Sequence, residues 1–173
     1  DVCSSDLGAP NRSRRCAKHW QTGAPIPAAL VERVKQARKF NQGFGTVEYL
    51  AASYLDMDWH TLTPGAPKDT TAFENASMAK IGLPSTIVPR YRSTYFNHIF
   101  GPGGGYSAGY YSYLWAEVLD ADAFEAFREK GIFDKATATS FRKNILEKGG
   151  TAEAMTLYKA FRGREPSVQP LLV

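Results

Sequence analysis

The sequence predicts an all-α fold, an irregular multi-helix assembly, on three observations. Apolar residues recur at helical spacing in six segments, none of those segments reads as a strand, and glycine, proline and capping residues punctuate the runs between them. A chain of 173 residues with 43% hydrophobic content can bury one proper core.

The elements follow in order. Ala24-Pro-Ile-Pro27 is a stiff lead-in to an amphipathic helix marked by Leu30, Val34, Ala37 and Phe40, with Glu32, Arg33, Lys35 and Arg38 between them. The glycines from Gly43 to Gly45 are expected to interrupt it, and Thr46 to Trp59 forms a second, more apolar helix. Thr63-Pro-Gly-Ala-Pro67 is a turn, Asp69 is a capping residue, and Thr71 to Ile81 is a short helix stopped by Gly82 and Pro84. Ser85 to Ser93 is irregular or briefly extended. Tyr110 to Lys130 carries the longest helical pattern and stops at Gly131. Lys135 to Lys148 and Thr151 to Phe161 complete the set, with Asp134 and Thr151 as N-caps and Gly163 as a stop. No repeat or low-complexity tract appears.

The formal charge of +4 is scattered apart from the Arg12 to Lys18 cluster, which gives a solvated surface and no nucleic-acid partner. No apolar run is long enough to span a bilayer, so no membrane partner is expected. Cys3 and Cys16 lack the spacing of a metal site. Asp1 to Leu7 lacks an initiator Met and reads as the conceptual translation of a sequencing-library adapter. Residues 1–17 are therefore expected to be a leader, loosely packed over about the first 15, and residues 18–173 a piece of a larger domain.

Chemistry concentrates between His98 and Tyr113, where one histidine, a glycine-rich hinge from Gly101 to Gly105, and Tyr106, Tyr110, Tyr111 and Tyr113 fall together. A phenol donates to an oxygen on which negative charge develops, an imidazole donates or accepts, and glycines let backbone approach a ligand. The pattern points to a loop that closes on a carbonyl-containing substrate; an ordinary turn with core aromatics is the alternative. The hinge lacks the Lys-Ser/Thr of a phosphate loop. His19, His60 and His98 show no paired spacing, so the chain offers no metal ligands of its own, and His60 reads as a partner for a helix C-terminus. Glu48 and Glu117 lie in apolar helical stretches and call for partners such as Arg90 or Arg92.

Six ordered blocks carry a family resemblance: Lys18-His-Trp-Gln-Thr-Gly-Ala-Pro-Ile-Pro27, Phe40-Asn-Gln-Gly-Phe44, Glu48-Tyr-Leu-Ala-Ala52, Pro89-Arg-Tyr-Arg-Ser-Thr-Tyr-Phe96, His98 to Trp115, and Phe161-Arg-Gly-Arg-Glu-Pro166. Together they resemble the C-terminal part of the thimet oligopeptidase family of zinc metallopeptidases, from about Lys18 onward. Within the family the second and third blocks favour the bacterial peptidyl-dipeptidase branch. The resemblance implies a helical metallopeptidase domain whose zinc motif, His-Glu-x-x-His with a downstream Glu, lies upstream of the matched region. Zinc would then be the cofactor of the whole enzyme, short peptides its substrates, and the upstream part of the same polypeptide this chain's partner. It implies an oxyanion donor at Tyr113 and substrate contacts at His98, Tyr106, Tyr110, Gly104 and Gly105, with zinc-bound water attacking the scissile carbon. It further implies a cytoplasmic or periplasmic enzyme that releases C-terminal dipeptides, inactive in this piece alone. An endo-acting oligopeptidase of the same family and a non-enzymatic helical peptide-binding domain are the alternatives. Gly101-Pro102-Gly103 lengthens the loop relative to the family pattern.

Overall fold

A computed structural model describes residues 17–63, 65, 69–103 and 105–172. The leader expected at residues 1–17 falls outside them except for Ala17, as do Gly104 and most of the turn after Thr63. Among the described residues there are seven α-helices and no strand; Lys18 and Pro25 form a single antiparallel bridge. The all-α expectation holds. The helices are α1 (Ala28–Ala37), α2 (Gln42–His60), α3 (Thr70–Lys80), α4 (Asn97–Phe100), α5 (Ser112–Lys130), α6 (Lys135–Phe141) and α7 (Ala154–Arg162). The chain divides into two compact units, one running from Asn41 to Trp115 and the other combining the residues up to Phe40 with those from Ala116 onward.

In the Asn41–Trp115 unit the core consists of Ala51, Ala52 and Leu55 from α2, Met78 from α3, and Phe96, Ile99 and Tyr110. Tyr49, Trp59, Phe73, Ile81, Leu83 and Tyr91 pack around it. Helix α3 starts where Asp69 was expected to cap it: its Oδ1 accepts from the amides of Thr71 at 2.9 Å and Ala72 at 3.0 Å. Helix α2 departs from expectation, because it begins at Gln42 and runs through Gly43 and Gly45. Asn41, in the left-handed region at φ 55°, makes the break instead; Gly43 falls in the first turn, whose amides lack partners within the helix, and the Gly45 amide donates to the Asn41 carbonyl at 3.0 Å.

Glu74 is a buried carboxylate that organises the chain after α3. It accepts from Arg92 Nε at 2.8 Å, from the Ser93 amide at 2.7 Å and from the Ser93 hydroxyl at 3.0 Å. Trp59 Nε1 in turn donates to Ser93 Oγ at 2.9 Å.

In the other unit Phe127, Phe141 and Phe161 form a cluster with ring centroids 5.2–6.4 Å apart. Asp122 is fully buried beside it in sequence and is held by the Tyr158 hydroxyl at 2.6 Å, Arg164 at 2.7 Å and Arg162 at 3.3 Å. Arg162 also makes a bidentate pair with Glu129. Asp134 caps α6 through the Thr137 amide, and Gly163 ends α7 at φ 81°, both as expected. Two details differ. The helix expected to continue to Lys148 passes at Arg142–Leu146 into a π-helical turn. The last helix starts at Ala154, capped by Glu153 and not by Thr151, whose amide closes a turn onto Lys148.

Candidate active site

The tyrosine-rich segment folds back as a loop that is narrow at its entry. Gly101 sits so close to the carbonyl of Asn97 that an added Cβ would stand 2.5 Å from that oxygen, and Gly103 adopts φ 93°. These two positions explain why glycine is needed here. Gly105 shows neither constraint, and Gly104 lies outside the described residues. The Tyr106 amide donates to the His98 carbonyl at 3.3 Å and the Ser107 hydroxyl to the Ile99 carbonyl at 2.7 Å, so the loop closes onto α4.

The structure brings His98, Tyr106, Tyr110 and Tyr113 into one cluster, and adds Tyr49 from α2 and Tyr91. Tyr106 and Tyr113 stack at 5.2 Å, Tyr110 and Tyr113 lie 5.4 Å apart, and Tyr49 stacks on Tyr110 at 5.4 Å. His98 packs on Tyr91 at 4.6 Å and on Tyr110 at 5.7 Å. Arg90 lies over the rings of Tyr49 and Tyr91 at 5.4 and 5.2 Å, a cation–π arrangement. Tyr106 and Tyr113 remain 37% and 36% exposed, whereas Tyr110 is buried at 3%. The expected substrate contact Tyr110 is thus a core ring behind two surface phenols. Nδ1 of His98 is buried with no hydrogen-bond partner among the described residues.

Tyr113 and Tyr110 are held in their protonated form. A hydrogen bond with Tyr106, then burial and the neighbouring phenols, pushes Tyr113 up to about 12. Burial, then Tyr49, pushes Tyr110 upward as well. What the arrangement offers is a pair of surface phenols that share a hydrogen bond, leaving one hydroxyl proton of the pair to donate outward, backed by an aromatic layer.

Other sequence candidates lie elsewhere. Glu48 pairs with Arg90 at 3.9 Å, a partner expected for it, but is half-exposed, and Glu117 is exposed, so neither is buried as expected. Among the described residues the buried carboxylates are Asp56, Glu74 and Asp122. His60 does act near the C-terminus of its helix: Nδ1 lies 2.8 Å from Asp56 Oδ1 and 2.9 Å from the Asp56 carbonyl. Tyr49, Tyr91 and Asp56 join the site through partners distant in sequence. The run Ala51 to Trp59 holds two acidic residues, Asp56 and Asp58, and the sequence does not say which is buried; Asp58 pairs with Lys80 at 3.1 Å.

Comparison with known proteins decides the family. The pattern of peptidase family M3 matches residues 7–173. The chain belongs to peptidase family M3. The chain is 42% identical, over 94% of its length, to dipeptidyl carboxypeptidase of Salmonella typhimurium, covering 24% of that protein. Oligopeptidase A of the same organism is 41% identical over 89% of this chain and 22% of its own length. Saccharolysin of Saccharomyces cerevisiae is 31% identical over 90% and 22%. The chain therefore spans about a quarter of the length of these M3 relatives. The metallopeptidase family read from the six sequence blocks is confirmed, and the match opens at residue 7, upstream of the first of those blocks.

The zinc implied by that family finds no fitting donor set here. Among the described residues no group of three or more His, Cys, Asp or Glu side chains could hold a metal ion. No helix among them is long and apolar enough to cross a membrane.

Proposed function

We propose that this M3 chain forms the substrate-binding tyrosine wall of a peptidyl-dipeptidase, an enzyme that releases dipeptides from the C-termini of short peptides. The observation that carries the reading is the stacked Tyr106–Tyr113 pair at 5.2 Å, half-exposed, with both phenols backed by Tyr110. In this reading Tyr113 donates to the oxygen of the scissile carbonyl as negative charge builds on it, which is stronger in the transition state than in the ground state. Tyr106, on the loop, donates to the substrate backbone. His98, half-buried beside Tyr106 and Tyr110, holds a peptide carbonyl. Tyr110 supports both phenols, and Gly104 and Gly105 let the substrate backbone pass close to the loop. The metal-binding part is assigned to the upstream polypeptide, and this chain alone is inactive. We place the enzyme in the cytoplasm or periplasm.

An endo-acting specificity is the second reading, favoured by the 41% identity to oligopeptidase A. The complete coding sequence that contains this chain separates the two. Incubated with zinc and peptides of defined length, the complete protein is expected to yield only dipeptides, stepwise from the C-terminus, by mass spectrometry. Internal cleavage establishes the second reading. A complete, folded protein that cleaves no peptide would falsify both.

A further inference from the structure

Asp56 sits on α2 with no surface exposed to solvent, and every contact of its carboxylate faces a donor. Oδ1 accepts from the Ala108 amide at 2.9 Å, and Oδ2 accepts from the Tyr110 amide at 2.8 Å. The His60 ring supplies a third donor: its Nδ1 faces two acceptors, Asp56 Oδ1 and the Asp56 carbonyl, so this nitrogen carries the proton. A buried carboxylate is tolerated only when its oxygens are matched by hydrogen-bond donors, and here two of the three come from the backbone of the tyrosine loop.

The two amides bracket a strained point. Ala108 adopts φ 55°, a left-handed conformation that residues other than glycine rarely take. That conformation turns the chain so that the Ala108 and Tyr110 amides converge on one side chain. Two residues later α5 begins, and it carries Tyr113. Asp56 thus fixes the backbone between Tyr106 and Tyr113 while touching neither phenol.

We propose that Asp56 is the positioning residue of the tyrosine wall: its two oxygens hold the Ala108 and Tyr110 amides and so set where the Tyr106 and Tyr113 hydroxyls meet the substrate. The inference rests on the peptidase reading for its kinetic consequence, and on geometry alone for the anchoring. Asn at this position keeps the shape of the side chain but turns one acceptor into an NH2 group facing an N–H donor, which breaks one of the two amide bonds. A displacement on the order of 1 Å at a positioning group lowers rate about a hundredfold.

The test uses the complete polypeptide that carries this chain. Amide hydrogen exchange in the unaltered protein is expected to be slower at Ala108 and Tyr110 than at Gly103 and Gly105, a measurement that needs no variant to fold. Asp56→Asn is expected to speed exchange by at least about tenfold at the one amide that comes to face the NH2 group, with the other less affected, and to lower kcat/KM about a hundredfold at a temperature where circular dichroism shows it folded. In the double variant with Tyr113→Phe, the loss is expected to be much smaller than the product of the two single losses, because Asp56 acts through the tyrosines. A merely structural role leaves the two losses multiplicative. The proposal is overturned by unaltered-protein amides that exchange as fast as those of the glycines, by a folded Asp56→Asn protein with undiminished kcat/KM, or by multiplicative losses. Absence of peptide cleavage by the unaltered protein overturns the peptidase reading instead, and the exchange measurements then decide the anchor separately.

Discussion

Replacing Tyr113 by Phe in the complete enzyme deletes one hydroxyl and leaves the ring that contacts Tyr106, Tyr110 and Tyr49 at 5.2–5.8 Å. The aromatic layer therefore persists, and the melting temperature is expected to change little. Turnover is expected to fall on the order of a hundredfold, about 3 kcal/mol, with substrate affinity nearly unchanged, since an oxyanion donor acts where charge appears. Tyr111→Phe is the matched control. Tyr111 is 53% exposed and precedes the first residue of α5, so removal of its hydroxyl is expected to leave turnover almost unaffected. The assay is steady-state cleavage of a short peptide by both variants, with melting temperatures measured alongside. A pH series sharpens it. Because Tyr113 is pushed up to about 12, it stays a neutral donor through ordinary alkaline conditions, and the rate ratio between the unaltered enzyme and Tyr113→Phe stays constant from about pH 6 to about pH 10. Equal losses for Tyr111→Phe and Tyr113→Phe at matched stability would refute the assignment, as would a ratio that collapses as pH rises within that range.

Asp122→Ala strips a fully buried carboxylate from Tyr158, Arg162 and Arg164, and is expected to destabilise by about 3–4 kcal/mol in urea unfolding; a loss under about 1 kcal/mol contradicts the network reading. Burial alone raises the Asp122 carboxyl, but the Tyr158 and Arg164 hydrogen bonds and both guanidiniums outweigh it and lower the net value. Its stabilising contribution is therefore present above the usual carboxylate range and is lost as pH falls through the lowered folded value, so Asp122→Asn is expected to flatten the acid limb of stability against pH. Asp69→Ala removes the cap of α3 and is expected to cost about 1 kcal/mol, with an unchanged unfolding midpoint as the contrary result.

Much of this fold is legible in the sequence, because helices announce themselves locally. Asp69, Asp134 and Gly163 mark their helix ends by chemistry that acts within four residues, and the structure uses all three. Features set by distant partners are hidden. Gly43 and Gly45 resemble a break, but the left-handed residue is Asn41. The π-helical turn at Arg142–Leu146 has no short-range signature, since its residues are ordinary helix formers. In the candidate site, the density of tyrosines after His98 marks a segment whose rings the structure brings together. The division into surface phenols and a buried ring depends on Tyr49 and Tyr91, which arrive from elsewhere in the chain. Carboxylates show the same limit: Glu48 and Glu117 sit in apolar stretches yet face outward, whereas Asp56 and Glu74 find amides that only the tertiary fold brings near.

The bonds from Asp56 to the Ala108 and Tyr110 amides bridge 52 and 54 residues of chain. Closing a loop of that length costs about 3.5 kcal/mol of chain entropy before any contact repays it. Helices α2 and α3 can exist before that closure, but the tyrosine wall cannot, because its backbone conformation is specified by a side chain half a hundred positions earlier. Contacts of such high sequence separation form slowly. A nascent or partly unfolded molecule thus displays helices without a formed wall, and the peptide grip proposed for that wall switches on only with tertiary closure. For a protein whose relatives cut peptides, that ordering delays the wall until the chain that carries it is no longer an extended substrate itself.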